Sequence, residues 1–235
     1  MRKIIYGLLL FISSGYLISC DSDMYSCDPL ADAWVKDNLE EIKVMSRDSW
    51  LRLDENETVK RATYVAFKPE NKRKFWGQKI KEVINGFSWT EKEKDHLNLF
   101  LDYVHETDVF DRKEVPEEFE LFVYKWNEYA ITELGWTRKL IYGIVANGNR
   151  LLDKDGNTES IPEDGIGQKR IKTNSEDGGE PDCSCSKEND WCDIFNDAPP
   201  WILSCNSHNY KCKKVNGCGA LWLYTCDGTC KSSIN

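Results

Sequence analysis

The chain lacks the residue patterns that announce most enzyme chemistries. It contains no P-loop, no Gly-x-Gly-x-x-Gly turn and no Gly-x-Ser-x-Gly elbow. Histidine is scarce, with three in 235 residues. His105-Glu106 opens like a zinc-protease helix, but Val109 stands where the second histidine belongs. His96 and His105 fall on one predicted helix and read as surface histidines, with pH sensing as the remoter alternative. Asp153-Lys154-Asp155-Gly156-Asn157 begins like a calcium loop. It lacks the third acidic position and the closing glutamate, so it reads as a surface turn. Positive charge is in deficit: 31 Lys plus Arg face 40 Asp plus Glu, for a net charge of −9. That balance argues against a nucleic-acid partner. With carboxylates this abundant, choosing two as a catalytic pair would be arbitrary. The chain is read as a non-enzyme with no cofactor and no metal.

Cysteine is missing between Cys27 and Cys183, and that gap divides the chain. Residues 28–147 carry apolar residues at helical spacing. Leu30, Trp34, Val35, Leu39, Ile42 and Met45 predict one helix opened by Asp28-Pro29. Further helices are predicted over about 57–67, 69–84 and from the capping box Thr90-Glu-Lys-Glu93, with Trp89 placed to staple back. Two more start near Pro116 and after Trp136. The apolar stripes are read as core, and a helical bundle of this size can bury one. Residues 148–182 are rich in Gly, Asn, Asp, Lys and Glu and are expected to be a linker.

At the N-terminus, Met1-Arg2-Lys3 precedes an apolar run from Ile4 to Ile18 and then Leu17-Ile18-Ser19-Cys20. A charged start and a short apolar stretch predict a secretory signal over 1–19. Leu-x-Ser-Cys resembles the bacterial lipobox, which implies acylation of Cys20 and a membrane partner through that lipid. Residues 20–27 then form a tether. Asp21-Ser22-Asp23 resembles the surface-export signal of some Gram-negative lipoproteins, or is a plain polar spacer.

The other eight cysteines, Cys183, Cys185, Cys192, Cys205, Cys212, Cys218, Cys226 and Cys230, crowd the tail. Outside the cytoplasm such a set is a disulfide framework. Each bridge contributes about 2–4 kcal/mol, enough to decide whether a short module folds. Zinc is the weaker reading, because only Cys226-x3-Cys230 has knuckle spacing and His208 stands alone. Connectivity stays open, since eight cysteines allow on the order of 100 pairings. Cys27 is left over from an even set. It is a thiol, a link between chains, or a substitute for one tail cysteine.

Within the tail, Cys183-Ser-Cys185-Ser and Asp190-Trp191-Cys192 are followed by Gly217-Cys218-Gly219, Trp222-Leu-Tyr224 and Cys226-Asp-Gly228. Residues 183–230 resemble the fulvocin C-related family of bacteriocin-like bacterial lipoproteins. The resemblance implies a small disulfide-rich effector on a longer anchored chain. Leu221 to Tyr224 is read as a strand. Trp191, Trp201, Trp222 and Tyr224 are a candidate contact face, or else a miniature core on the disulfides. Gly178-Gly179 resembles a bacteriocin leader cleavage point, or is part of a flexible linker. The expected architecture is mostly α: a helical bundle followed by a small disulfide-rich module with short strands. The expected function is a bacteriocin-like envelope lipoprotein acting on a target-cell surface. The alternative is a surface-anchored binding protein without toxin activity.

Overall fold

Asp28 opens the folded body. Its carboxylate accepts the backbone N–H groups of Leu30 and Ala31, and Pro29 supplies the first helical position. The structure is a computed structural model, and it describes residues 23–159, 184–195, 203–206 and 215–232. Among these are eight α-helices: α1 (Pro29–Asp37), α2 (Leu39–Ile42), α3 (Arg47–Leu51), α4 (Glu57–Val65), α5 (Pro69–Gly86), α6 (Glu91–Glu106), α7 (Glu117–Thr132) and α8 (Arg138–Val145). Four short strands follow: β1 (Leu203–Asn206), β2 (Val215–Cys218), β3 (Tyr224–Cys226) and β4 (Thr229–Ser232). The chain is therefore a helical bundle followed by a small disulfide-rich region with short strands.

Side-chain caps set most helix starts. Ser46, Asn56, Thr90 and Thr137 each accept a backbone N–H of the first turn, and Thr90 with Glu93 completes a reciprocal capping box. Trp89, just ahead of that box, is buried and donates its indole N–H to Val83 O. The helix expected from Leu30 to Met45 is two. At Asn38 the backbone leaves helical geometry, and the Asn38 N–H bonds back to Trp34 and Val35. α3 had no sequence forecast. Its five residues carry Trp50, which faces the centre of the core.

The expected linker requires correction over 148–159. Asn147, Gly148, Asn149, Leu151 and Thr158 are buried, and Leu151 and Thr158 form an isolated antiparallel bridge. Polar composition misled, because buried charges satisfy this segment. Lys79, 0% exposed, donates to Asn149 O at 2.5 Å. Arg47 donates to Gly148 O at 3.1 Å and to Glu82 at 2.7 Å, and Glu57 accepts from the Asn149 amide. Burial pushes the Lys79 ammonium pKa down to about 7, with the Arg47 charge adding to the effect. Residues 160–182, and Gly178-Gly179 with them, lie outside the described residues. Asp153, Asp155 and Asn157 do form a turn, in which the Asp153 carboxylate accepts from Asp155 N, Asn157 N and the Asn157 amide.

One contiguous apolar core runs from Ala31 in α1 to Tyr224 in β3. His96 belongs to it and is not a surface residue. It stacks on Trp126 at 4.3 Å between ring centroids, its Nε2 lies 3.0 Å from Trp126 O, and the Trp126 indole returns a bond to His96 O. His105 is exposed. No helix among the described residues is long and apolar enough to cross a membrane.

Candidate functional site: the seam between tail and bundle

Three disulfides organise the described tail: Cys185–Cys205, Cys192–Cys230 and Cys218–Cys226. Cys205 and Cys230 sit opposite each other in the antiparallel β1–β4 pair, so the first two bridges tie both strands outward from one rung. Ser184 and Cys185 extend the array by bonding to Gly228 O. Cys183 and Cys212 lie outside the described residues, as do Cys20 and Trp201. The sulfurs of Cys185, Cys192 and Cys230 lie within 4.8 Å of one another. That proximity comes from two adjacent bridges and offers no thiolate for a metal.

The third bridge closes the loop between β2 and β3, and this loop enters the helical bundle. The sequence led us to expect a strand over Leu221–Tyr224. The structure has a 3-10 turn over Ala220–Trp222, with Leu221 and Trp222 at φ 51° and 52°. Left-handed backbone at a non-glycine costs of order 1–3 kcal/mol. Burial offsets it here: Leu221 is 0% and Trp222 5% exposed. The Trp222 ring sits among Trp50, Tyr64, Phe75 and Trp76, at centroid separations of 5.8, 5.0, 6.1 and 5.7 Å. Its indole N–H donates to Ala146 O at 2.8 Å. The Tyr64 hydroxyl donates to Leu221 O at 2.9 Å and accepts from the Trp76 indole. Burial holds that hydroxyl pKa far above the usual phenol range.

Trp191 and Tyr224 are buried too, at 6% and 2% exposed. The expected contact face is therefore corrected: Trp191, Trp222 and Tyr224 are interior. Nor do Trp222 and Tyr224 form a separate core on the disulfides, because they belong to the core of the helical bundle. The tail has too few apolar residues to enclose an indole, whereas the bundle supplies four aromatic rings around it.

Polar contacts fix the edges of the seam. Arg138 clamps Asp193 through two nitrogens, donates to Asp190 O at 3.0 Å, and lies over the Trp191 ring. Asp190 accepts the N–H groups of Cys192 and Cys205. Asn189 accepts from Ala220 N and the Trp191 indole. On the other side Arg61 of α4 donates to Ser184 O at 3.3 Å, reaches Cys218 Sγ at 3.7 Å, and lies over Trp222. A small cleft opens there, lined by Cys27, Thr58, Arg61, Ser184, Asn216 and Cys226 among others. Sequence reading missed Arg61, Arg138 and Asn189, which carry no local pattern distinguishing them from other surface polar residues.

The chain matches no known family model, no curated protein and no solved structure.

Proposed function

We propose that this chain is a lipid-anchored protein of the bacterial cell envelope that acts as one folded body, a binding or interaction lipoprotein. Cys20 is its lipid attachment point. The observation that carries this reading is the burial of Trp222 among the helices, hydrogen-bonded to Ala146 O. Burying a large side chain contributes about 1.5–3 kcal/mol, so withdrawing Leu221, Trp222 and Tyr224 would cost roughly 5–9 kcal/mol. That is comparable to the whole stability of a typical domain, about 5–15 kcal/mol. A tail so held is not easily released as an effector. The bridged tail supports an extracytoplasmic setting, where disulfides persist.

The test is mass spectrometry of membranes and culture medium from cells making the full chain. The folded-body reading expects intact protein, acylated at Cys20, in the membrane fraction. A released tail beginning near Gly178-Gly179, active against other bacteria, would replace it with the bacteriocin-like reading.

A further inference from the structure

The cleft beside Arg61 combines one cation with an apolar wall and no anion. Among the described residues that line it, Arg61 is the one charged side chain and none is acidic, in a protein of net charge −9. Arg61 is half-buried. Its Nη1 serves Ser184 O and Cys218 Sγ, and the guanidinium lies over the Trp222 ring. The remaining edge, Nε and Nη2, has no acceptor among the described residues. That edge is the one that grips a carboxylate through two parallel bonds.

The other described arginines show what this one lacks. Arg47 pairs with Glu82, Arg73 with Asp111, Arg112 with Asp108, Arg138 with Asp193, and Arg150 with Glu82 and Glu159. Arg52 is exposed, so water serves it. Among the described residues Arg61 alone is a half-buried arginine without a carboxylate. Glu57, one turn earlier on α4, bonds the Asn149 amide instead. A partly desolvated guanidinium left unpaired is a standing attraction for an anion. We propose that the cleft is a binding site for a small carboxylate, anchored by the Nε–Nη2 edge of Arg61.

The walls define the rest of the ligand. Asn216 also lines the cleft. Its Oδ1 accepts from the Thr225 hydroxyl, which leaves Nδ2 as a second donor. Tyr25, Ala62 and Val215 add apolar surface. The cleft measures about 390 Å³, its open mouth included, which suits a carboxyl group on a few carbons. A free short branched acid and the carboxyl end of a peptide both carry that chemistry. The cleft is assembled from the segment before α1, from α4 and from the tail, so it exists only while the tail is seated. The inference rests on the folded-body reading in that respect and does not depend on lipidation.

The experiment titrates the isotope-labelled full chain with sodium isobutyrate, sodium chloride holding ionic strength constant, and follows the Arg61 Nε–H and the Ala62 and Val215 methyl resonances. The shifts should saturate with a Kd on the order of 1 mM. Formate, which lacks the apolar stem, should bind about threefold more weakly or worse. Isobutyramide, which lacks the charge, should cause no saturable shift. Acetyl-alanyl-valine with a free carboxylate separates the sources: tighter binding than isobutyrate names a peptide end, weaker binding names a free acid. Arg61→Gln should abolish the methyl shifts. Asn216→Ala, at an exposed position that leaves the core untouched, should weaken binding severalfold. Hydrogen exchange of the Trp222 indole, read on the same sample, reports whether the tail is seated. With that indole protected, the ligand site alone is overturned by no saturable shift up to about 50 mM isobutyrate, by an equal shift with isobutyramide, or by undiminished binding in Arg61→Gln. A freely exchanging indole would overturn the site and the folded-body reading together.

Discussion

The indole N–H of Trp222, near the end of the chain, donates to the carbonyl oxygen of Ala146 at the end of α8, 2.8 Å away. This bond joins two parts of the sequence 76 residues apart and places a tail residue at the centre of the helical core. Removing the ring tests how far the bundle depends on it. Trp222→Ala should cost about 3–5 kcal/mol, the range for a large aromatic lost from a core. Trp222→Phe should cost less, about 1–3 kcal/mol, mainly by leaving Ala146 O buried without its donor. Urea unfolding with the bridges intact measures both. A change below 1 kcal/mol for the alanine variant would mean the tail is not seated as described.

Gly148 provides the space that Trp222 occupies. A Cβ at Gly148 would lie 2.7 Å from Trp222 Cη2 and 2.8 Å from Phe75 Cζ. Gly148→Ala should therefore destabilise by about 1–3 kcal/mol through overpacking. In a double-mutant cycle the smaller ring of Trp222→Phe should recover part of that loss, with a coupling of at least about 0.5 kcal/mol. Strict additivity would place the two residues out of contact.

His96 supplies a pH test. Burial pulls its pKa down to about 4 from the usual 6.5, despite the opposing bond to Trp126 O. The unfolded chain thus binds a proton at His96 over a window in which the folded chain does not. Stability should fall as pH drops from about 6.5 toward 4, by up to about 3 kcal/mol from this residue. His96→Phe keeps an aromatic ring against Trp126 and cannot take up the proton. It should flatten the stability–pH slope by close to one proton in that window. Equal slopes for the two proteins would show that His96 is solvated.

Much of the bundle was legible because helix starts are local. Asp28, Thr90 and Thr137 mark their helices by cap chemistry within a few residues, and the fourth predicted helix, from Thr90, begins where expected. Asn38 broke the first helix without a proline or glycine to announce it. The seam was not legible, since its partners are remote in sequence: Arg61 meets Cys218, Tyr64 meets Leu221, and Ala146 meets Trp222. Periodicity shows that Trp222 is apolar but not which core receives it. Residues 148–159 were misread for a related reason. Composition detects apolar burial and is blind to a polar loop satisfied by Lys79, Arg47 and Glu57.

Cutting the chain between body and tail separates covalent from packing attachment. The described bridges, Cys185–Cys205, Cys192–Cys230 and Cys218–Cys226, all lie within the tail, so none of them would hold a severed tail to the helices. Among the described residues, what remains is packing and hydrogen bonding, which include the burial of Trp191, Leu221, Trp222 and Tyr224, the Tyr64–Leu221, Trp222–Ala146 and Arg61–Ser184 bonds, and the bonds of Arg138 to Asp193 and Asp190. A specific protease site placed within residues 160–182 should therefore give two fragments that co-elute on gel filtration at micromolar concentration and separate only in denaturant. The background should be Cys27→Ser, so that no sulfur of the body can supply a covalent link to the tail. Combining the cut with Trp222→Ala should release the tail without denaturant, because it removes the largest buried contact while leaving the tail bridges intact. Tail that dissociates from the otherwise unaltered body would favour an effector held in store over a single working body.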